Sequence, residues 1–225
     1  MATTISTLND FVSYLNTLLE LSSSAPSAGE EDYTVWTALA NIAINIWENE
    51  EGMLWQELFV KLADASDGDK TTEADTYSYD CPSDFKFPAS AYVWLGTGAN
   101  KTPFKVIKIE EVQLHENDTS NWCYFNLADK TLEFNPNATI PDGETISYNY
   151  YKSAKKLTTG TDTFEMSDPM FAVYYALSEL KKEEGDASAA SLATQKLEAM
   201  KTKNEMPSWF QSDNLQNKTE EGFGV

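Results

Sequence analysis

Along the first twenty residues Ile5, Leu8, Phe11, Val12, Leu15, Leu18 and Leu19 recur at steps of three and four, the spacing that lines one face of a helix. The pattern predicts a helix over residues 4–21. Residues 22–29 then bring serines, Pro26 and Gly29 together and predict a loop, because serine competes for backbone hydrogen bonds and proline supplies no donor. From Glu30 the helical period resumes with Val35, Leu39, Ile42 and Ile46, widened by Trp36, Ala43 and Trp47. Glu30, Glu31 and Asp32 stand where the helix dipole favours negative charge. Gly52 interrupts the run, and Met53, Leu54, Trp55, Leu58, Phe59 and Leu62 read as a second, kinked piece of the same helix.

After Asp64 the period shortens to two, the signature of half-buried strands, with candidates at 91–95, 104–112, 122–127, 130–134 and 144–151. Ala128 and Asp129 join two of these as a hairpin, with Phe125 and Leu127 facing Leu132 and Phe134, and Asp142-Gly143 marks another turn. Helical spacing returns with Asp168 placed to cap, Pro169 at the first position, and Met170, Val173, Tyr174, Leu177 and Leu180 as the buried face. Gly185-Asp186 stops that helix and starts another, alanine-rich one through Met200, folding back antiparallel. The polar tail past Pro207 carries Trp209, Phe210 and Phe223 and cannot build a core alone.

These elements predict an α+β chain: an antiparallel helical bundle formed by the N- and C-terminal helices, with a β-sheet insertion and an extended C-terminal tail. The expected boundaries are 1–75 for the N-terminal part of the bundle, 76–160 for the sheet insertion, 161–206 for the helical hairpin that completes the bundle, and 207–225 for the arm.

Charge narrows the functions such a chain can serve. Its 225 residues carry 36 acidic and 16 basic side chains, a net charge of -20, and every basic one is lysine. Nucleic-acid binding is disfavoured, since the surplus repels phosphate and no guanidinium fork exists to grip phosphate or guanine edges. The single histidine, His115, removes multi-histidine metal sites and leaves Ser-His-Asp chemistry dependent on one position in a polar stretch with no nucleophile-elbow pattern. The acidic run Asp64, Asp67, Gly68, Asp69, Glu73, Asp75 fails as a calcium loop: with Gly68 at the sixth position, Ala63 and Ala65 occupy the first and third. It reads as a solvated linker.

Gly96-Thr97-Gly98 lacks the third glycine and following helix of a phosphate cradle, and carboxylate pairs are too abundant in this chain to single out a glycosidase dyad. Cys81 and Cys123 read as two reduced thiols, because a chain of this size does not need a disulfide. The expectation is therefore a chain with no catalytic residues, no metal and no cofactor. No secretory leader pattern and no apolar run of membrane-spanning length is visible, which predicts cytoplasmic synthesis and no membrane partner. Tyr77, Tyr79, Tyr92, Trp94, Trp122, Tyr148, Tyr150 and Tyr151 cluster in the sheet region, as core or as an exposed binding platform. The Asn-x-Ser/Thr sites at Asn100, Asn117, Asn137 and Asn217 carry no meaning without a secretory route.

Taken together, the Trp-bearing stretch from Ala40 to Trp55, Tyr79-Asp80-Cys81-Pro82-Ser83-Asp84-Phe85 opening the sheet region, Tyr148-Asn149-Tyr150-Tyr151-Lys152 closing it, and the final helices with Tyr174-Tyr175-Ala176-Leu177-Ser178-Glu179-Leu180 resemble the head-to-tail connector (adaptor) proteins of tailed bacteriophages. The likeness extends over about residues 1–205. It implies a structural virion protein of the neck: a homo-oligomeric ring, a dodecamer, beneath the portal, extending the channel through which DNA passes without specific binding, and contacting downstream neck and tail proteins. Trp209, Phe210 and Phe223 are the candidate anchors in a neighbouring subunit or the portal, since isolated aromatics in a polar arm bind grooves on partners. Two other readings remain at this point, a carbohydrate- or receptor-binding module using the aromatic sheet and a polyanionic DNA mimic; the lysines and long apolar helices fit the latter poorly.

Overall fold

A computed structural model describes residues 5–21, 24–68, 70–184 and 187–204. They fall into two compact units, one drawn from residues 1–57 and 155–225 and the other from 58–154.

In the first unit, helix α1 (Leu8–Leu18) starts on a reciprocal cap: the Thr7 hydroxyl accepts from the Asp10 amide at 3.2 Å and the Asp10 carboxylate accepts from the Thr7 amide at 2.9 Å. Two more first-turn amides, of Leu8 and Asn9, donate to the carbonyls of Asp162 and Gly160. The orphan donors of the helix start are thus bound to a loop far along the chain. Leu8, Phe11, Val12 and Leu15 are buried.

Helix α2 (Glu31–Glu48) buries Tyr33, Trp36, Ala40, Ala43, Ile44 and Trp47. Of the expected stripe Trp36, Ala43 and Trp47 are buried, but Val35 and Ile42 are 43% and 45% exposed, and Leu39 and Ile46 are half-buried. Two apolar rows at helical spacing compete on α2, and the row carrying both tryptophans removes the larger apolar area from water. Gly52, at φ 76, turns the chain back after α2, so that Trp55 lies 5.3 Å from the Trp47 ring and its indole N–H donates to the Trp47 carbonyl. Asn41 clamps residue 157 through both its amide atoms, donating to the Leu157 carbonyl at 2.9 Å and accepting from its N–H at 2.8 Å. Helix α3 (Met170–Leu180) buries Phe171, Ala172, Val173 and Ala176. Asp168 accepts from the Met170 amide at 3.1 Å and pairs with Lys196 of α4 (Ser188–Asn204) at 3.0 Å, which ties the start of α3 to the second half of α4.

The second unit holds nine strands among the described residues. β1 (Phe59–Lys61), β9 (Asn149–Lys152) and β3 (Phe85–Pro88) form one sheet in the order β1-β9-β3. The other runs β2-β7-β6-β5-β4-β8, from β2 (Ser78–Asp80), β7 (Thr131–Phe134), β6 (Trp122–Asn126), β5 (Thr102–Val106), β4 (Tyr92–Leu95) and β8 (Ile146–Ser147). Pairing is antiparallel except between β5 and β6. In the β6–β7 pair Phe125 faces Leu132 and Cys123 faces Phe134, so Leu127 drops out of the expected ladder and is exposed. The two sheets meet at Phe85, stacked on Phe125 at 5.2 Å and next to Tyr150 and Tyr148.

The expected fold, an antiparallel helical bundle with a β-sheet insertion, is overturned: the protein is a mixed α+β structure with two sheets, and helix is the minority. The physical reason lies partly at residues 53–62, expected as helix. After the Gly52 turn this segment gives a short 3-10 turn and then β1, whose backbone bonds go to β9. The segment expected as one strand over 104–112 also ends early, at Val106, before the 3-10 stretch Ile109–His115.

Candidate docking surfaces

His115 sits 3.5 Å from Asp118, and both side chains are more than a third exposed. The Asp118 carboxyl is lowered from its ordinary value first by the Ser120 hydroxyl and then by the Ser120 amide, a local turn rather than a catalytic relay. Cys81 and Cys123 are free and buried, and burial pushes their thiols up to about 11 and about 12. Thiols so disfavoured as thiolates are poor nucleophiles. Among the described residues no group of three metal-ligating side chains converges. Asp67 instead accepts from the Ser83 amide at 3.1 Å, and Gly68 passes so close to Leu62 that a Cβ there would lie 1.7 Å from the Leu62 carbonyl oxygen. A hollow of about 600 Å³ in the helical unit is open and lined by Asn9, Ser13, Tyr33, residues 25–28 and residues 159–161, among which there is no carboxylate, lysine or histidine.

Surfaces remain. Of the sheet aromatics, Trp122, Tyr148 and Tyr150 are core, and Tyr77, Tyr79 and Tyr151 are half-buried. Tyr92 and Trp94 face outward, side by side on β4 with ring centres 5.9 Å apart, and Phe59 on β1 is exposed as well. In the helical unit the surface that sequence reasoning missed is the row Val35, Leu39, Ile42, Ile46, expected in the core. The signal that could have found it is the charge pattern: residues 33–47 contain no charged side chain in a chain of net charge -20. Aliphatic side chains left outward on such a neutral stretch suit a protein partner. The predicted anchors Trp209, Phe210 and Phe223 lie outside the described residues. The described chain stops at Asn204, whose side chain donates to the Leu54 carbonyl and accepts from the Gln56 amide.

The SU10 adaptor protein family matches residues 11–216. The chain belongs to that family. No curated protein matches it. Membership makes the protein a phage structural adaptor, a virion component that interacts with other head and tail proteins. No described helix of this adaptor is long and apolar enough to cross a membrane.

Proposed function

We propose that this adaptor, made in the host cytoplasm, forms a ring of twelve identical subunits under the portal in the virion neck, extends the DNA channel and carries the downstream neck and tail proteins. Membership of the SU10 adaptor protein family over residues 11–216 is the observation that carries the reading. The charge supplies its mechanism. A channel wall presenting the chain's surplus of carboxylates, 36 against 16 lysines, and keeping the lysines off the lumen would give a passing duplex no attractive phosphate contact, so DNA would slide instead of binding. The protein acts by assembly alone, without catalysis. Trp209, Phe210 and Phe223 anchor the C-terminal arm in a neighbouring subunit or in the portal. Mass photometry of the purified protein with and without the portal of its phage tests this. A complex whose added mass is a whole ring of subunits supports it; free subunits in both samples reject it. Deleting residues 208–225 should reduce co-assembly with the portal, and unchanged assembly removes the anchors.

The exposed Tyr92–Trp94 pair favours a second reading, sugar binding on β4, because adjacent outward rings can stack on a pyranose face. A glycan array without hits discards it.

A further inference from the structure

We infer that neighbouring copies meet helix to helix, the outward row of α2 on one copy lying antiparallel against the outer face of α4 on the next. The inference rests on the ring proposed above and names the surfaces that would build it.

Charge separates the two helices. α2 has Glu31, Asp32 and Glu48 and no lysine, whereas α4 has Lys196, Lys201 and Lys203 against Glu198 alone. In a chain of net charge -20, α4 is the one α-helix of the described residues with a positive balance. Two copies repel over most of their surfaces and attract where α4 meets α2.

The faces then match in detail. At 100° per residue, Glu31, Val35, Leu39, Ile42 and Ile46 fall within about 80° of one another on α2, and so do Ser188, Leu192, Gln195, Ala199 and Lys203 on α4. The α2 row is turned about 130° and the α4 row about 100° from the buried face of its own helix. The spacings run in mirrored order. Antiparallel alignment therefore brings Glu31 to Lys203, Val35 to Ala199, Leu39 to Gln195, Ile42 to Leu192 and Ile46 to Ser188 in a single register. Val35, Ile42, Leu192 and Ala199 are exposed in the isolated chain.

Glu31, Asp32 and Lys203 have neither an ion pair nor a side-chain hydrogen bond among the described residues, while Lys196 and Lys201 are already paired with Asp168 and with Glu50 and Glu198. The unspent charges are those the register joins, and antiparallel helix dipoles add to the attraction. Because the two faces differ, the contact is heterologous, the kind that closes into rings.

Disulfide trapping tests the register. Full-length Ile42→Cys and Leu192→Cys chains are mixed and treated with diamide, alone and with the portal; both sites are exposed, so the fold is untouched, and buried Cys81 and Cys123 stay silent. A covalent dimer that needs both variants, and a ladder of multimers from the double variant, support the contact. Absence of the mixed dimer in both samples, or an equal yield of Ile42→Cys dimer with itself, overturns it. Lys203→Glu should lower the yield about two- to five-fold and Glu31→Lys in the same chain should restore it; no restoration overturns the antiparallel register. Whole rings on the portal without the mixed dimer refute the helix contact and leave the ring standing, whereas a mixed dimer without rings does the reverse.

Discussion

Replacing Phe85 with alanine should destabilise the sheet unit more than any other single truncation in β3. Phe85 is 1% exposed and sits in the core the two sheets share, stacked on Phe125 of the six-stranded sheet at 5.2 Å and tilted against Tyr150 of its own sheet at 5.6 Å. Tyr148 meets it edge-on at 6.4 Å. Removing a buried phenyl ring costs about 3–5 kcal/mol in transfer and cavity terms. Each ring pair adds about 0.5–1.5 kcal/mol beyond area, which places this site at the upper end of that range. Domains of this kind hold only about 5–15 kcal/mol in total, so Phe85→Ala consumes a large part of it. Phe85→Leu, which keeps most of the apolar volume and loses only the ring geometry, should cost clearly less. Urea unfolding at 25 °C followed by circular dichroism measures both. A loss under about 1 kcal/mol for the alanine variant, or equal losses for the two, would refute the view that stacked rings join the sheets.

Gly68→Ala should destabilise by about 2 kcal/mol or more, because the new Cβ meets the Leu62 carbonyl at 1.7 Å and the backbone must move; a thermal melt within one degree of the parent contradicts this. Asp162 accepts from the Lys155 ammonium at 2.8 Å and from the Thr158 and Thr159 amides, interactions that hold its carboxyl well below the usual carboxylate range. The folded state therefore binds this proton less readily than the unfolded chain, whose Asp titrates near about 3.9, so the contribution is complete above that pH and fades as acid approaches the folded value. Asp162→Asn should flatten the pH dependence of unfolding below about pH 4, and an unchanged slope argues against the role. Cys81 and Cys123 should resist a thiol reagent at pH 8 until urea unfolds the chain, since burial raises both thiols; prompt labelling of native protein would contradict their burial.

Legibility in the sequence followed the strength of local signals. The α1 period, the strands at β4, β6 and β7 and the start of the helix beside Asp168 were readable because pattern and turn chemistry agree there, although of the face expected to be buried on that helix only Val173 is, with Met170, Tyr174, Leu177 and Leu180 half-buried. Residues 53–62 misled: Leu54, Leu58 and Leu62 keep helical spacing, yet β1 is fixed by bonds to β9 about ninety residues on, which no local window contains. On α2 the spacing put the aliphatic positions and Trp36, Ala43 and Trp47 in one wide stripe, too wide to be buried whole. What decided between them was the size of Trp36 and Trp47 and the ring of Trp55 on Trp47, a tertiary fact. The outward row, and with it the α2 docking surface, was legible only through the missing charge between residues 33 and 47.

Electron cryomicroscopy of this adaptor bound to the portal of its own phage tests the central claim most directly. The account predicts a closed ring of identical subunits continuous with the portal, its lumen lined by carboxylates. Single subunits scattered on the portal, or a lumen lined by lysines, would contradict it.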